Sequence, residues 1–251
     1  MQTVICMKWG DRYGSDYVNK LYNMVSRSTQ RPLRFICLTD DRSGIASEVE
    51  CGEIPPIDLP ADIRVKGWRK LSLWQDKLVA ENGPIEGPFL FFDLDIILPG
   101  GPQSVDDFFD YMPEETYVVI ENWPQKGKNI GNTSVFRLSV GSQTIVYNQL
   151  HEKPETAYGT FPNSQTYVSR TSKTMAFWPD EWCVSFKHSL LPPWPLRFFK
   201  APTLWPGIKA VAFTGKPDPD EAAIGVWPEK KPWKKLYKFI KPSVWIDEHW
   251  R

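Results

Sequence analysis

Short apolar runs alternate with longer amphipathic stretches along this chain, and their order predicts an α/β fold. Thr3 to Met7 is an apolar run of strand length. After the polar loop Lys8 to Gly14, residues Val18, Leu21, Tyr22 and Val25 recur at the spacing of one helical face. Leu33 to Leu38 reads as a second strand, ending in Thr39-Asp40-Asp41, and a third short strand is expected around Glu48 to Cys51. A Pro-marked loop then leads to Trp68 to Ala80. There Leu71, Trp74 and Leu78 predict a helix that stops at Asn82-Gly83-Pro84. Pro88 to Leu98 follows as a strand. Further strands are predicted over Thr116 to Ile120, Thr133 to Leu138 and Ile208 to Phe213, with helices near Ser142 to Leu150 and Asn163 to Arg170. Strands alternating with helices imply a mostly parallel central sheet with helices on both faces.

The run Pro88-Phe89-Leu90-Phe91-Phe92-Asp93-Leu94-Asp95-Ile96-Ile97-Leu98 carries two carboxylates in otherwise apolar surroundings. Such a run reads as a central strand buried on both faces, and ligands of open α/β sheets bind beyond the carboxyl ends of the strands. Side chains alternate along an extended chain, so Asp93 and Asp95 are expected to face one point while Leu94 turns into the core. Two charges beside an apolar strand are costly unless compensated, and a hard divalent cation with oxygen ligands, able to recruit phosphate oxygens, would compensate them. The plainer alternative is a strand end with solvated acids. The last predicted strand delivers Thr214-Gly215-Lys216-Pro217, where an open glycine backbone and a compact lysine charge suit close approach to a phosphate, or simply make a turn.

With 251 residues, 41% of them apolar and 24% charged, the chain is expected to form a single domain over 1–251. Its 30 basic and 30 acidic residues cancel, so no overall field selects nucleic acid as a partner. Cys6, Cys37, Cys51 and Cys183 show no C-x-x-C spacing, and two of them fall inside apolar strands, which predicts free thiols in a reducing compartment. No apolar stretch nears the roughly 18 residues of a membrane span, and the amino terminus lacks a signal pattern, so a cytoplasmic location is expected. Asn132-Thr133-Ser134 matches a glycosylation sequon that carries no meaning without secretion. The last quarter is crowded with proline, which predicts ordered loop wrapped over the sheet and held down by Trp182, Trp194, Trp205 and Trp227.

The early strand-loop-helix, the Asp-x-Asp strand, the Asn-x-Ser strand and the late Gly-Lys-Pro turn together resemble a GT-A-fold nucleotide-sugar glycosyltransferase. They are most similar to bacterial relatives of the family-eight, glycogenin-like and galactosyltransferase-like enzymes. The resemblance runs from Val4 to about Pro219. It implies a metal-dependent transfer from a nucleoside diphosphate sugar, a UDP-sugar above others, to a glycan or lipid-linked acceptor, with retention of configuration. It also implies a nucleotide-binding half over 1–98, a donor-sugar and acceptor half over 99–219 and a tail over 220–251. Asp93 and Asp95 would hold Mn²⁺ or Mg²⁺ against the diphosphate. Asp11 and Tyr13 would carry the nucleotide, with the Tyr13 ring on the base, and Lys70 would steady the diphosphate. Asn132, Ser134 and Gln165 lie where such enzymes hold the donor sugar or acceptor, although strand-end and helix-cap roles suit them equally. Lys216 would add positive charge where the leaving oxygen becomes more negative. Two positions depart from the pattern: Ser164-Gln165 stands where Asp-Gln is usual, and Thr214 where a histidine metal ligand is usual.

Two other readings compete. A haloacid-dehalogenase-type phosphatase also uses an apolar strand followed by Asp-x-Asp, but lacks here the expected residue after the second Asp and the later acidic motif. A catalytically weak nucleotide-sugar-binding protein is favoured by Ser164 and Thr214. His151, His188 and His249 are too scattered to predict a metal site. From Lys230 to Lys241 six lysines alternate with Trp233, Leu236, Tyr237, Phe239 and Ile240, a composition suited to peripheral contact with an anionic inner membrane face or to a solvated helix docked by its aromatic side.

Overall fold

The computed structural model describes all residues except 61, 62, 64–66, 232, 235 and 236. Its strands in chain order are β1 (Gln2–Lys8), β2 (Leu33–Thr39), β3 (Glu50–Gly52), β4 (Leu78–Ala80), β5 (Gly83–Ile85) and β6 (Pro88–Phe92). They continue with β7 (Ile96–Ile97), β8 (Val118–Glu121), β9 (Gly131–Ser139), β10 (Ala176–Phe177), β11 (Cys183–Ser185) and β12 (Ala210–Ala212). The helices are α1 (Ser15–Arg27), α2 (Ser104–Asp110), α3 (Ile145–Glu152), α4 (Pro154–Thr160), α5 (Ser164–Thr171), α6 (Pro219–Ala223) and α7 (Trp245–His249).

The central sheet has seven strands in the order β10-β8-β9-β6-β1-β2-β3. Four of its pairings are parallel, and β9 runs antiparallel to both its neighbours. Alternation along β1 divides the interior in two. Val4 and Cys6 join α1, α2 and the carboxyl-terminal elements on one face, while Ile5 and Met7 join α3, α5 and the helical turn Gly67–Trp74 on the other. The mostly parallel sheet with helices on both faces is therefore present. All four cysteines are free and buried, with Cys6 and Cys37 in register across β1 and β2.

Two elements differ from the sequence expectation. The helix expected over Trp68 to Ala80 is a 3₁₀ helix that ends at Trp74, followed by the β4–β5 hairpin. Leu71, Trp74 and Leu78 match a helical face only by coincidence of spacing. Leu78 and Ala80 are buried while Val79 between them is exposed, which is a strand period, and Gly83 at φ +112° closes the tight turn. The strand expected over Pro88 to Leu98 is also broken. Strand β6 ends at Phe92, with a last cross-strand bond from the Asp93 amide, the Ile96 amide donates to the Asp93 carbonyl across a turn, and β7 joins a second sheet in the order β11-β12-β7. Asp93 and Asp95 thus belong to a turn between two sheets, not to one extended strand.

A buried arginine fixes the far end of the same face. Arg137 on β9, fully buried, donates to the carbonyls of Phe108, Phe109, Met112 and Pro113 at 2.5–3.2 Å. Phe108 and Phe109 lie in the last turn of α2, whose carbonyls have no partner within the helix, so a cation there satisfies both hydrogen bonding and the helix dipole. The carboxyl-terminal wrap is only partly pinned by tryptophan. Trp182 stacks near Trp178 and meets Phe108 edge-on, whereas Trp194 and Trp205 are 60% and 42% exposed.

Candidate active site

Strands β1 and β6 lie side by side and in parallel, so the loop after β1 and the turn after β6 open at the same edge of the sheet. A crevice of about 490 Å³ forms there, lined by Trp9, Asp11, Arg12 and Tyr13 from the first loop and Lys70, Asp93 and Asp95 from the helical turn and the Asp-x-Asp segment. Beyond Asp93 a second cavity of about 390 Å³ shares Arg12 and both aspartates, and adds Asn132, Ser134 and Gln165. Leu94, between the two acids, is buried. The turn therefore presents both carboxylates at the junction of two cavities. A further hollow of about 510 Å³ beyond β2 and β3 is walled by Asp40, Glu53, Arg42 and Glu81, the last two paired with each other at 3.2 Å.

Asp93 is the more committed carboxylate. Lys70, itself buried, donates to Asp93 Oδ1 at 2.7 Å and Oδ2 at 2.9 Å, and to the Thr133 carbonyl at 3.1 Å. Asp95 receives the Tyr13 hydroxyl at 3.1 Å. Burial, then the charge of Asp93, pushes the Asp95 pKa up to about 7, so this carboxylate lacks a sufficient countercharge. Burial and the charges of Asp95 and Asp218 raise the Tyr13 pKa, which keeps the phenol protonated and donating. The Tyr13 ring is already in contact with Tyr17 at 4.6 Å, and the Arg12 guanidinium stands over it at 4.9 Å.

Strand β9 supplies the floor of the second cavity. The Asp93 amide donates to the Ser134 carbonyl at 2.9 Å, and Asn132 Oδ1 accepts from the Ser134 amide at 3.0 Å. Close approach of β8 and β9 depends on Gly131, where a Cβ would stand 2.7 Å from Val119 Cγ1, and the register slips between Val119 and Ile120. Gln165 sits in the first turn of α5, capped by Asn163, whose Oδ1 accepts from the Thr166 amide at 2.9 Å.

Lys216 is not brought to either cavity. Its ammonium is held by Asp218 at 2.7 Å and Glu221 at 2.5 Å, the two carboxylates that cap α6, while its neighbours Thr214 and Gly215 do line the second cavity. Several lining residues escaped the sequence reading: Trp9, Arg12, Asn122 and Trp123. The signal for the last two was present, since they directly follow β8 at the carboxyl edge where ligands bind. His188 lines the second cavity, with its pKa lowered by burial and by Lys187.

The oxygens here suit a hard cation. Asp93 and Asp95 meet at the cavity that Thr214 also lines, and the buried Thr214 hydroxyl has no hydrogen-bond partner. An all-oxygen set of this kind fits Mg²⁺ or Mn²⁺ taking the rest of its shell from water and phosphate. Among the described residues no three His, Cys, Asp or Glu side chains converge into a closed site.

No family model and no curated protein matches the chain by sequence. Solved structures do match by shape. The galactosyltransferase LgtC, in complex with donor and acceptor sugar analogs, is 11% identical, with 87% of this chain and 89% of that chain covered at a TM-score of 0.60. The glycosyltransferase GlyE of Streptococcus pneumoniae TIGR4 is 13% identical over 99% of this chain and 63% of its own, at 0.58. The bifunctional glycosyltransferase WbbM is 10% identical over 94% of this chain and 51% of its own, at 0.55. The chain has the GT-A-like fold of these proteins.

Proposed function

We propose that the chain is a glycosyltransferase of the family-eight type, moving a sugar from a nucleoside diphosphate donor, a UDP-sugar above others, to a glycan or lipid-linked acceptor with retention. The supporting observation is the pair Asp93 and Asp95, set between two cavities at the carboxyl edge of a GT-A-like sheet, one sized for a nucleoside and the other walled by short polar side chains. In this reaction the bond from the sugar's anomeric carbon to the diphosphate breaks, its electron pair stays on the phosphate oxygen, and the acceptor oxygen takes the carbon. Charge grows on the leaving oxygen, so positive groups there speed departure.

Lys70 pairs with both oxygens of Asp93 and orients it, and Tyr13 orients Asp95. Mn²⁺ or Mg²⁺ on Asp95, Asp93 and Thr214 would supply Lewis-acid charge to the diphosphate. Asn132, Ser134 and Gln165 offer uncharged hydrogen bonds to sugar hydroxyls. An Asp93 whose two oxygens both rest on Lys70 is a poor nucleophile, which weighs against the phosphatase reading. The same commitment of Asp93 favours, as the second reading, a protein that binds the donor without turning it over. A thermal-shift screen of nucleoside diphosphate sugars with Mn²⁺ tests the assignment, because a ligand of the native state raises the melting temperature. At least one donor is expected to raise it by several degrees only when metal is present. No shift with any donor would exclude donor binding.

A membrane-linked acceptor is part of the proposal. Phe198 stacks on Phe239 at 5.0 Å and Arg197 donates to the Tyr237 carbonyl at 2.9 Å, so the loop 191–200 is tied to the basic tail. Together they expose Trp194, Phe199 and Trp233 by 60–74% among Lys200, Lys231 and Lys234. Pro232, Lys235 and Leu236 of that tail lie outside the described residues. No helix among the described residues is long and apolar enough to cross a membrane. Aromatic rings with surrounding cations suit an anionic bilayer surface. Sedimentation with phosphatidylglycerol vesicles, but not with phosphatidylcholine vesicles, is expected. Loss of the charge preference, or equal binding after Trp194→Ala and Phe199→Ala together, would remove this surface from the proposal.

A further inference from the structure

Lys70 and Arg12 line the crevice and Lys216 stands close by, and their partners set these cations apart. Lys70 spends its three donors on Asp93 and the Thr133 carbonyl. Lys216 is clamped between Asp218 and Glu221. Arg12 stands over the Tyr13 ring and makes one long hydrogen bond, Nη2 to Asp218 Oδ1 at 3.4 Å, and its side chain is 60% exposed. A guanidinium carries five N–H donors, so most of those on Arg12 remain free. It is also the one cationic side chain, among the described residues, that lines both cavities.

We infer that Arg12 receives the donor's diphosphate, and that it does so by leaving Asp218. The inference rests on the sugar-transfer reading above. A diphosphate joins nucleoside to sugar, so it must lie where the two cavities meet, and Arg12 stands at that junction. Its planar fork matches two phosphate oxygens at once, which a lysine cannot do. The exchange leaves no buried charge stranded. Asp218 is 5% exposed, yet it keeps Lys216 at 2.7 Å after Arg12 departs, and it stands 3.3 Å from the Tyr13 hydroxyl whose one proton it shares with Asp95. The move also frees the Tyr13 ring from the guanidinium that stands over it. During transfer the electron pair of the broken carbon–oxygen bond settles on the phosphate, the acceptor's hydroxyl proton passes to the released diphosphate or to solvent, and Arg12 offsets the added negative charge.

Calorimetry with uridine, guanosine and thymidine diphosphates and with their parent nucleosides tests this on the wild-type chain, Arg12→Met, Arg12→Lys and Lys216→Met, with melting curves for each. Arg12→Met is expected to weaken the diphosphate about tenfold or more. The nucleoside should bind as before, Arg12→Lys should recover part of the loss, and Lys216→Met should cost less. Equal loss for nucleoside and diphosphate would mean that Arg12 only shapes the loop. Unchanged diphosphate binding in Arg12→Met, with loss in Lys216→Met, would give the role to Lys216 while the functional reading stands. A wild-type chain that binds none of the three diphosphates overturns that reading and this assignment together.

Discussion

Asp95→Asn is expected to abolish metal-dependent binding of the nucleoside diphosphate donor while leaving the fold intact. The amide keeps the shape of the side chain and can still accept from the Tyr13 hydroxyl, now at 3.1 Å from Asp95 Oδ2, but it cannot carry the charge that holds a cation. Turnover should fall about a hundredfold or more, the scale of removing one electrostatic element from a transition state. Stability should move the other way. The Asp95 pKa rises from 3.8 to about 7 on folding, so between those values the native state holds a proton that the unfolded chain has lost. Stability due to this group therefore falls as pH rises through that window. Asparagine removes the effect, so the variant should melt higher than the metal-free wild type above pH 7, and no differently near pH 4. Calorimetry with and without Mn²⁺, and melting curves from pH 4 to 9, check both halves. Equal metal-dependent affinity in the variant would rule Asp95 out as a ligand.

Lys70→Met should be the most damaging single change for stability near neutral pH. The ammonium is 9% exposed at its side chain and Asp93 24%, and no other described cation touches Asp93. Methionine of similar length fills the space and leaves Asp93 without its cation beside a second carboxylate, Asp95. Breaking a largely buried pair on one side costs about 3 kcal/mol or more. Protonation of Asp95 lowers the repulsion between the two acids, so the loss should shrink as pH falls below about 7. Lys70→Met with Asp93→Asn should be more stable than Lys70→Met alone, because no unpaired charge remains at Asp93. A double variant no more stable than the single one would show that the pair contributes little. Activity should not return in the double variant.

Much of the architecture could be read from the chain because periodicity reports burial. The β1, β2 and β9 regions and α1 fall within a few residues of the apolar patterns that announced them. Trp68 to Ala80 misled because three apolar residues at helical spacing also fit a helical turn followed by a hairpin, and only the exposure of Val79 between two buried neighbours separates the cases. Asp93 and Asp95 were placed at the right edge by the strand before them. The turn that aims them was not legible, since it depends on β7 pairing with β12, more than a hundred residues away. Lys216 was expected beside the phosphate from its Gly-Lys-Pro turn and the family resemblance. In the fold its ammonium rests on the capping carboxylates Asp218 and Glu221, a contact set by α6, which has no apolar period long enough to be seen. Arg12 lay inside the loop singled out at the start, but its value rests on having few partners, and partners belong to the folded state.

Release of nucleoside diphosphate from a panel of nucleoside diphosphate sugars, followed by chromatography with Mn²⁺ present, is the most direct test of sugar transfer at Asp93 and Asp95. Wild-type protein should free the diphosphate from at least one donor, slowly to water and faster with a glycan acceptor, and Asp95→Asn should free none. Every donor remaining intact with the wild-type chain, or release undiminished in Asp95→Asn, would contradict it.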